Sequence, residues 1–157
     1  MYPELQTLLY AAEERYLLDG DIEQFRQLLQ SFQARMQAYE ALRDNESAIF
    51  QRVANQLSEA YPKEKPERLE RALKHWIAAM RFCGMALLLN NPEYLDRHLL
   101  EWLTDQVAAH QMQTIESTLH QLLEPRLRKV LSREQWEIFQ PFVEQVQQAL
   151  LSPALAR

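Results

Sequence analysis

Residues 67–89 read ERLERALKHWIAAMRFCGMALLL. Leu69, Leu73, Trp76, Ile77, Met80, Gly84, Leu87 and Leu88 recur at steps of three and four, the period of a helix with a face in a core. The segment YPKEKP at 61–66 stops the chain just before it, since two prolines break a helix. Asn91-Pro92 follows it, a cap and a first-turn proline that open the next helix. This helix sets the pattern for the rest of the chain. Leu, Gln, Glu, Ala and Arg dominate the composition, and all are helix formers. Only two glycines occur in 157 residues, too few for the positive-φ turns of a hairpin-rich sheet. No segment alternates with period two. The fold class expected is all-α.

Start and stop signals divide the remainder. Pro3 begins a helix that runs to about Leu17. Asp21 with Gln24 reads as a capping box opening a stretch through Arg43. Asn45 is placed to cap the next helix, which ends before Tyr61. The helix after Asn91-Pro92 extends to about Ala109. Ile115, Leu119, Leu122, Leu127 and Val130 mark another. Ser132 with Gln135 forms a second capping box, and Trp136, Phe139, Val143, Val146 and Leu150 point one way from it. Seven or eight helices with short links are expected, in one domain over 1–157, with the tail SPALAR frayed.

The bulk numbers narrow the function classes. A net charge of −5 favours neither nucleic acid nor an acidic membrane surface. A single cysteine forms no internal disulfide and suits a reducing, cytoplasmic compartment. MYPELQTLLYAAEERY lacks a basic start followed by an apolar run, so no signal peptide is expected there. No apolar run in the sequence is continuous enough to suggest a membrane span.

Chemistry-bearing residues are sparse. The four histidines, His75, His98, His110 and His120, form no metal-ligand spacing, so no metal site is expected. No phosphate-cradling glycine loop and no nucleophile motif appears, and the chain reads as no enzyme. Cys83 reads as a small buried residue. Gly84, costly inside a helix, marks close approach of another helix. His75 and Arg81 sit on a strongly apolar helix. The plain reading gives Arg81 an acid on a neighbouring helix and His75 a hydrogen bond; direct ligand contact is the alternative.

Two blocks carry a resemblance. Residues 16–62 open with YLLDGDIEQF and contain Asn45-Glu46-Ser47-Ala48-Ile49; residues 81–99 read RFCGMALLLNNPEYLDRHL. They resemble phycobiliprotein subunits, whose corresponding segments are EYLSD…I…L, N-x-S-A-I and R-Y-x-x-Y-A-x-x-x-G-D-x-x-x-L-D. Arg81, Phe82, Met85, Ala86, Leu95 and Asp96 fall on matching positions. The resemblance implies a phycobilisome-type globin, with a helical extension at 1–43 and a globin core at 44–151. In the family the N-terminal hairpin pairs two subunits.

It also implies where a pigment would sit, and the chain departs from the pattern there. The family's attachment cysteine falls on Ala72, and its Arg-Asp pair falls on Lys74 and His75. Ala72 has no nucleophile, so no bilin is attached covalently. Cys83 lies eleven residues on, about 16 Å along the helix. The loop Pro62 to Glu70 is shorter than the family's. The chain is most similar to cyanobacterial bilin biosynthesis-associated globins.

The expectation is therefore a non-catalytic accessory globin of bilin or phycobilisome metabolism, acting as a protein-interaction module. A free bilin held non-covalently at Ala72, Lys74, His75, Arg81 and Phe82 is its candidate ligand. Its expected interface is Tyr2, Leu5, Leu8, Leu9, Tyr16, Phe25, Leu28 and Phe32, in a homodimer formed through the N-terminal helices. Bilin-pathway or phycobilisome proteins are its candidate partners. The alternative is a haem-binding globin or sensor using His75 and His98 as axial ligands.

Overall fold

The structure, a computed structural model, describes residues 3–151. Tyr2 and the SPALAR tail lie outside the described residues. Counted as continuous rods, the helices among the described residues are six. They are α1 (Pro3–Glu14), α2 (Asp19–Ala60), α3 (Pro66–Leu89), α4, α5 (Gln113–Val130) and α6 (Arg133–Leu151). Helix α4 starts as Glu93–Leu95, passes through a π-turn at Asp96–Leu100 and continues as Glu101–Ala109. No strand occurs among the described residues.

The ends follow from local chemistry. Pro66 occupies the first turn of α3, after the extended Lys65. Asn90 closes α3 in the left-handed region at φ 48°. Its N–H and that of Asn91 donate to Leu87 O (3.1 Å) and Ala86 O (3.0 Å), satisfying the last carbonyls. Asn91 Oδ1 then accepts from the N–H of Glu93 at 3.0 Å. Ser132 and Gln135 form the expected reciprocal box: Gln135 N–H donates to Ser132 Oγ (3.1 Å) and Ser132 N–H to Gln135 Oε1 (2.9 Å).

At α2 the expectations need correction. The helix starts at Asp19, with Leu18 as its extended cap residue. Asp21 is therefore the residue that reaches back rather than the cap. Its carboxylate accepts from Leu18 N–H (2.9 Å) and from Arg15 (2.7 Å). Nor does α2 stop near Arg43; it runs for 42 residues, about 60 Å. Asn45 does not cap a new helix, because its amide donates to Ala41 O at 2.7 Å within the same one. Between Gly20 and Pro62 there is neither glycine nor proline, so nothing interrupts good helix formers. The expected limit between extension and core falls inside this rod.

Helix α3 is the axis of the core. Ala72, Trp76, Ala79, Cys83 and Ala86 are fully buried. They share one cluster with Val53 and Leu57 of α2, Leu95, Leu99 and Leu103 of α4, Leu119 and Leu123 of α5, and Phe139 and Val146 of α6. By length and composition alone α3 could cross a bilayer; here its apolar face is spent on neighbouring helices. Gly84 marks a helix contact, as expected. A Cβ there would meet Cδ2 of Tyr39 at 3.0 Å.

The cap geometry yields a stability prediction. Asn90→Ala should lower the free energy of unfolding by about 1 kcal/mol, because alanine resists the left-handed region. Asn90→Gly should leave it nearly unchanged. Urea denaturation of the three proteins, followed by circular dichroism, measures both.

Candidate functional site

The residues aligned with a pigment site do not converge. Ala72 is sealed in the core, and no thiol replaces its methyl group. Lys74 lies about 200° further round the helix. Its ammonium points to solvent and pairs with Glu70 at 2.8 Å, with 72% of the side chain exposed. His75 returns to the interior. One helix face cannot hold all three.

His75 instead meets a residue that sequence reasoning missed. Its Nδ1 lies 2.6 Å from Oε1 of Glu116 on α5. Both side chains are buried, Glu116 completely. Burial pushes the Glu116 carboxyl above the ordinary range, opposed by the His75 contact and then by the Trp76 indole. Yet Glu116 Oε2 and Trp76 Nε1 have no well-aligned hydrogen-bond partner. Trp76 also packs on His120, with ring centroids 5.3 Å apart. Burial pushes His120 below its usual value, against Glu124 at 4.0 Å. A signal for this cluster was present: Glu116, His120, Leu123 and Leu127 recur at steps of four, three and four, a stripe that mixes two polar residues with core leucines.

Arg81 and Phe82 line a different feature. Arg81 donates to Glu46 of α2 through Nε (2.9 Å) and Nη2 (2.6 Å), the neighbouring acid expected for it. Phe82 is half-buried against Tyr94, 6.0 Å between centroids, and Tyr94 stacks on His98 at 4.5 Å. Arg81, Phe82 and Tyr94, together with Tyr39 and Phe50, border a groove of about 420 Å³ between α2, α3 and α4. Ala72, Lys74 and His75 are not among its walls. His75 and His98, the candidate axial pair, keep separate company, one with Glu116 and one with Tyr94. Among the described residues no three His, Cys, Asp or Glu side chains are grouped to hold a metal ion.

A second candidate surface runs along the N-terminal half of α2. Ile22, Phe25, Leu29, Phe32 and Met36 are all exposed large hydrophobics. Their steps of three and four make a continuous seam. Of the residues expected at an interface, Leu9, Tyr16, Phe25 and Phe32 are exposed, Tyr16 at 97%. Leu5 and Leu28 are half-buried. Leu8 is buried, so it holds α1 in place rather than facing outward.

With this geometry in view, the comparison with known families is specific: the model of the phycobilisome proteins matches residues 9–150. The chain belongs to the phycobilisome protein family. A search of curated proteins finds no match to it. Phycobilisome proteins are soluble, and in general structural or light-harvesting rather than catalytic. The all-helical architecture agrees with their globin-like fold.

In this phycobilisome-family chain Cys83 is a core residue. It is fully buried, and its thiol donates to Phe142 O at 3.6 Å. Burial raises the thiol far above its ordinary pKa, so thiolate is suppressed. A disulfide reagent should therefore leave the native protein unlabelled and modify one thiol per chain in 6 M guanidinium. Rapid labelling under native conditions would show the core open at α3.

Proposed function

We propose that this protein is a non-catalytic accessory member of the phycobilisome family that works by association, as a homodimer through its N-terminal helices, in bilin or phycobilisome metabolism. The observation that carries the reading is the seam Ile22, Phe25, Leu29, Phe32 and Met36. Five large apolar side chains in unbroken register on a projecting helix are the mark of an interface. The family supports assembly with related proteins. The loss of a nucleophile at position 72 supports a role without attached pigment.

A second copy fits the seam by simple counting. A two-fold axis at Leu29 pairs residue i with residue 58 − i in an antiparallel partner. Ile22 then opposes Met36, and Phe25 falls beside Phe32. The same register lays the turn at Tyr16–Leu18 over residues 40–42 of the other copy, next to the groove bordered by Tyr39 and Glu46. Tyr16, the most exposed aromatic side chain among the described residues, thus falls near a large apolar recess.

Light scattering coupled to size-exclusion chromatography tests the reading. At micromolar concentration the protein should elute with the mass of two chains. Leu29→Glu should give a monomer with unchanged helicity, since the position makes no core contact. A monomeric parent protein would sink the homodimer. Titration with biliverdin on the same sample reads the ligand side. Because the α3 core is filled at Ala72, no change in the visible spectrum is expected. A shift that disappears in Lys74→Ala/His75→Ala would instead restore a non-covalent pigment at the family's site.

A further inference from the structure

We infer that His75, Trp76, Glu116 and His120 form a buried proton-holding site, in which one proton taken up on folding is shared between His75 Nδ1 and Glu116 Oε1, so that the packing of α3 on α5 depends on pH. This is independent of how the chain associates.

The argument begins with charge. A neutral imidazole donating Nδ1–H to an ionised Glu116 would leave one net negative charge in the core, and uncompensated buried charge is strongly unfavourable. One added proton makes the pair neutral overall, as imidazolium with carboxylate or imidazole with carboxylic acid. The 2.6 Å separation is that of a short, charge-assisted bond. The second oxygen, Oε2, has no well-aligned donor. An ionised carboxylate in a dry core is poorly served by one donor, whereas a carboxyl that holds a proton needs fewer.

No other charge takes the proton's place. The groups acting on Glu116 are the imidazole of His75 and the uncharged indole of Trp76, both from α3. On the same helix as Glu116, His120 is acted on by Glu124 alone. Glu124 is already held by Arg128 at 2.8 Å. Arg128 in turn lies over the Trp136 ring of α6 at 4.9 Å. Tyr61, which closes α2, hydrogen-bonds the Thr118 hydroxyl of α5 at 2.8 Å. A recess of about 350 Å³ on the surface between α5 and α6 is lined by His120, Glu124, Arg128 and Gln147. It brings solvent to His120, whose ring packs on Trp76 beside the pair.

The sign of the effect follows. In the unfolded chain Glu116 titrates as an ordinary solvated glutamate. Burial raises it in the fold. Its contribution to stability is therefore full below the ordinary range and is lost as pH rises through the raised value. His120 is lowered, so its contribution is present above the ordinary histidine value and is lost as pH falls. Stability should peak between the two limbs.

The experiment is urea unfolding from pH 5 to pH 9, read by tryptophan fluorescence, on the parent protein, Glu116→Gln and His120→Gln. Where the folded pair holds a proton that the unfolded chain has given up, the parent's folding equilibrium constant should fall by up to tenfold per pH unit. Glu116→Gln, which keeps the shape without the proton, should lose that alkaline limb. His120→Gln should keep it. Refolding the parent at pH 7.5 with an indicator dye should show uptake of about one proton per chain, a readout that stands even where a variant fails to fold. An alkaline limb equal in the parent and Glu116→Gln, or refolding without proton uptake, would overturn the site.

Discussion

The ring of Tyr39 rests on Gly84, where even a methyl group would come within 3.0 Å of it. This contact fixes how the two longest helices meet. Beyond it, α2 contributes Ile49, Phe50, Val53 and Leu57 to the core. Before it, α2 runs out past the bundle. The glycine weakens α3 locally, by about 1 kcal/mol relative to alanine, and close packing of the aromatic ring offsets that cost. Arg81, three residues before Gly84 on α3, ties the same crossing through its two bonds to Glu46. The groove bordered by Phe82 and Tyr94 is the space left where α2, α3 and α4 diverge from this point.

The interior of α3 is closed by small side chains and by contacts to neighbouring helices. Ala72, Ala79 and Cys83 are small and fully enclosed. They let neighbouring helices close over this face. The polar residue left there, His75, meets a carboxyl from α5, and Trp76 and His120 fill the adjacent volume. Packing at this point rests on these four side chains.

Legibility in the sequence depended on how local each determinant was. The ends of α3, the Ser132–Gln135 box and the Asn91-Pro92 start were readable, because each rests on residues within one turn of one another. Arg81's ionic partner was readable as a kind of residue, since a guanidinium on an apolar helix requires an acid. The continuity of α2 was not. Asn45 is as good a cap as a helix residue, and only its bond to Ala41 decides between them. Lys74 and His75 look alike as adjacent polar residues; their opposite directions follow from helix phase, which an alignment of motifs ignores. Glu116 was hidden because acids on this chain are mostly surface residues, and its stripe is visible only when α5 is read beside α3. The seam on α2 was seen in part, as Phe25 and Phe32. Ile22, Leu29 and Met36 complete it, once the extension is a single straight helix.

An unbroken α2 is also a ruler. From Leu29 at the middle of the seam to Ile49 at the edge of the core are twenty residues, about 30 Å at 1.5 Å per residue. With no hinge between them, both the distance and the angle of the globin core relative to the seam are set by residue count. One residue added between Met36 and Ile49 would push the core outward by about 1.5 Å and turn it by about 100°. A partner bound along the seam would therefore meet each globin body at one height and one bearing, both set by the length of this helix.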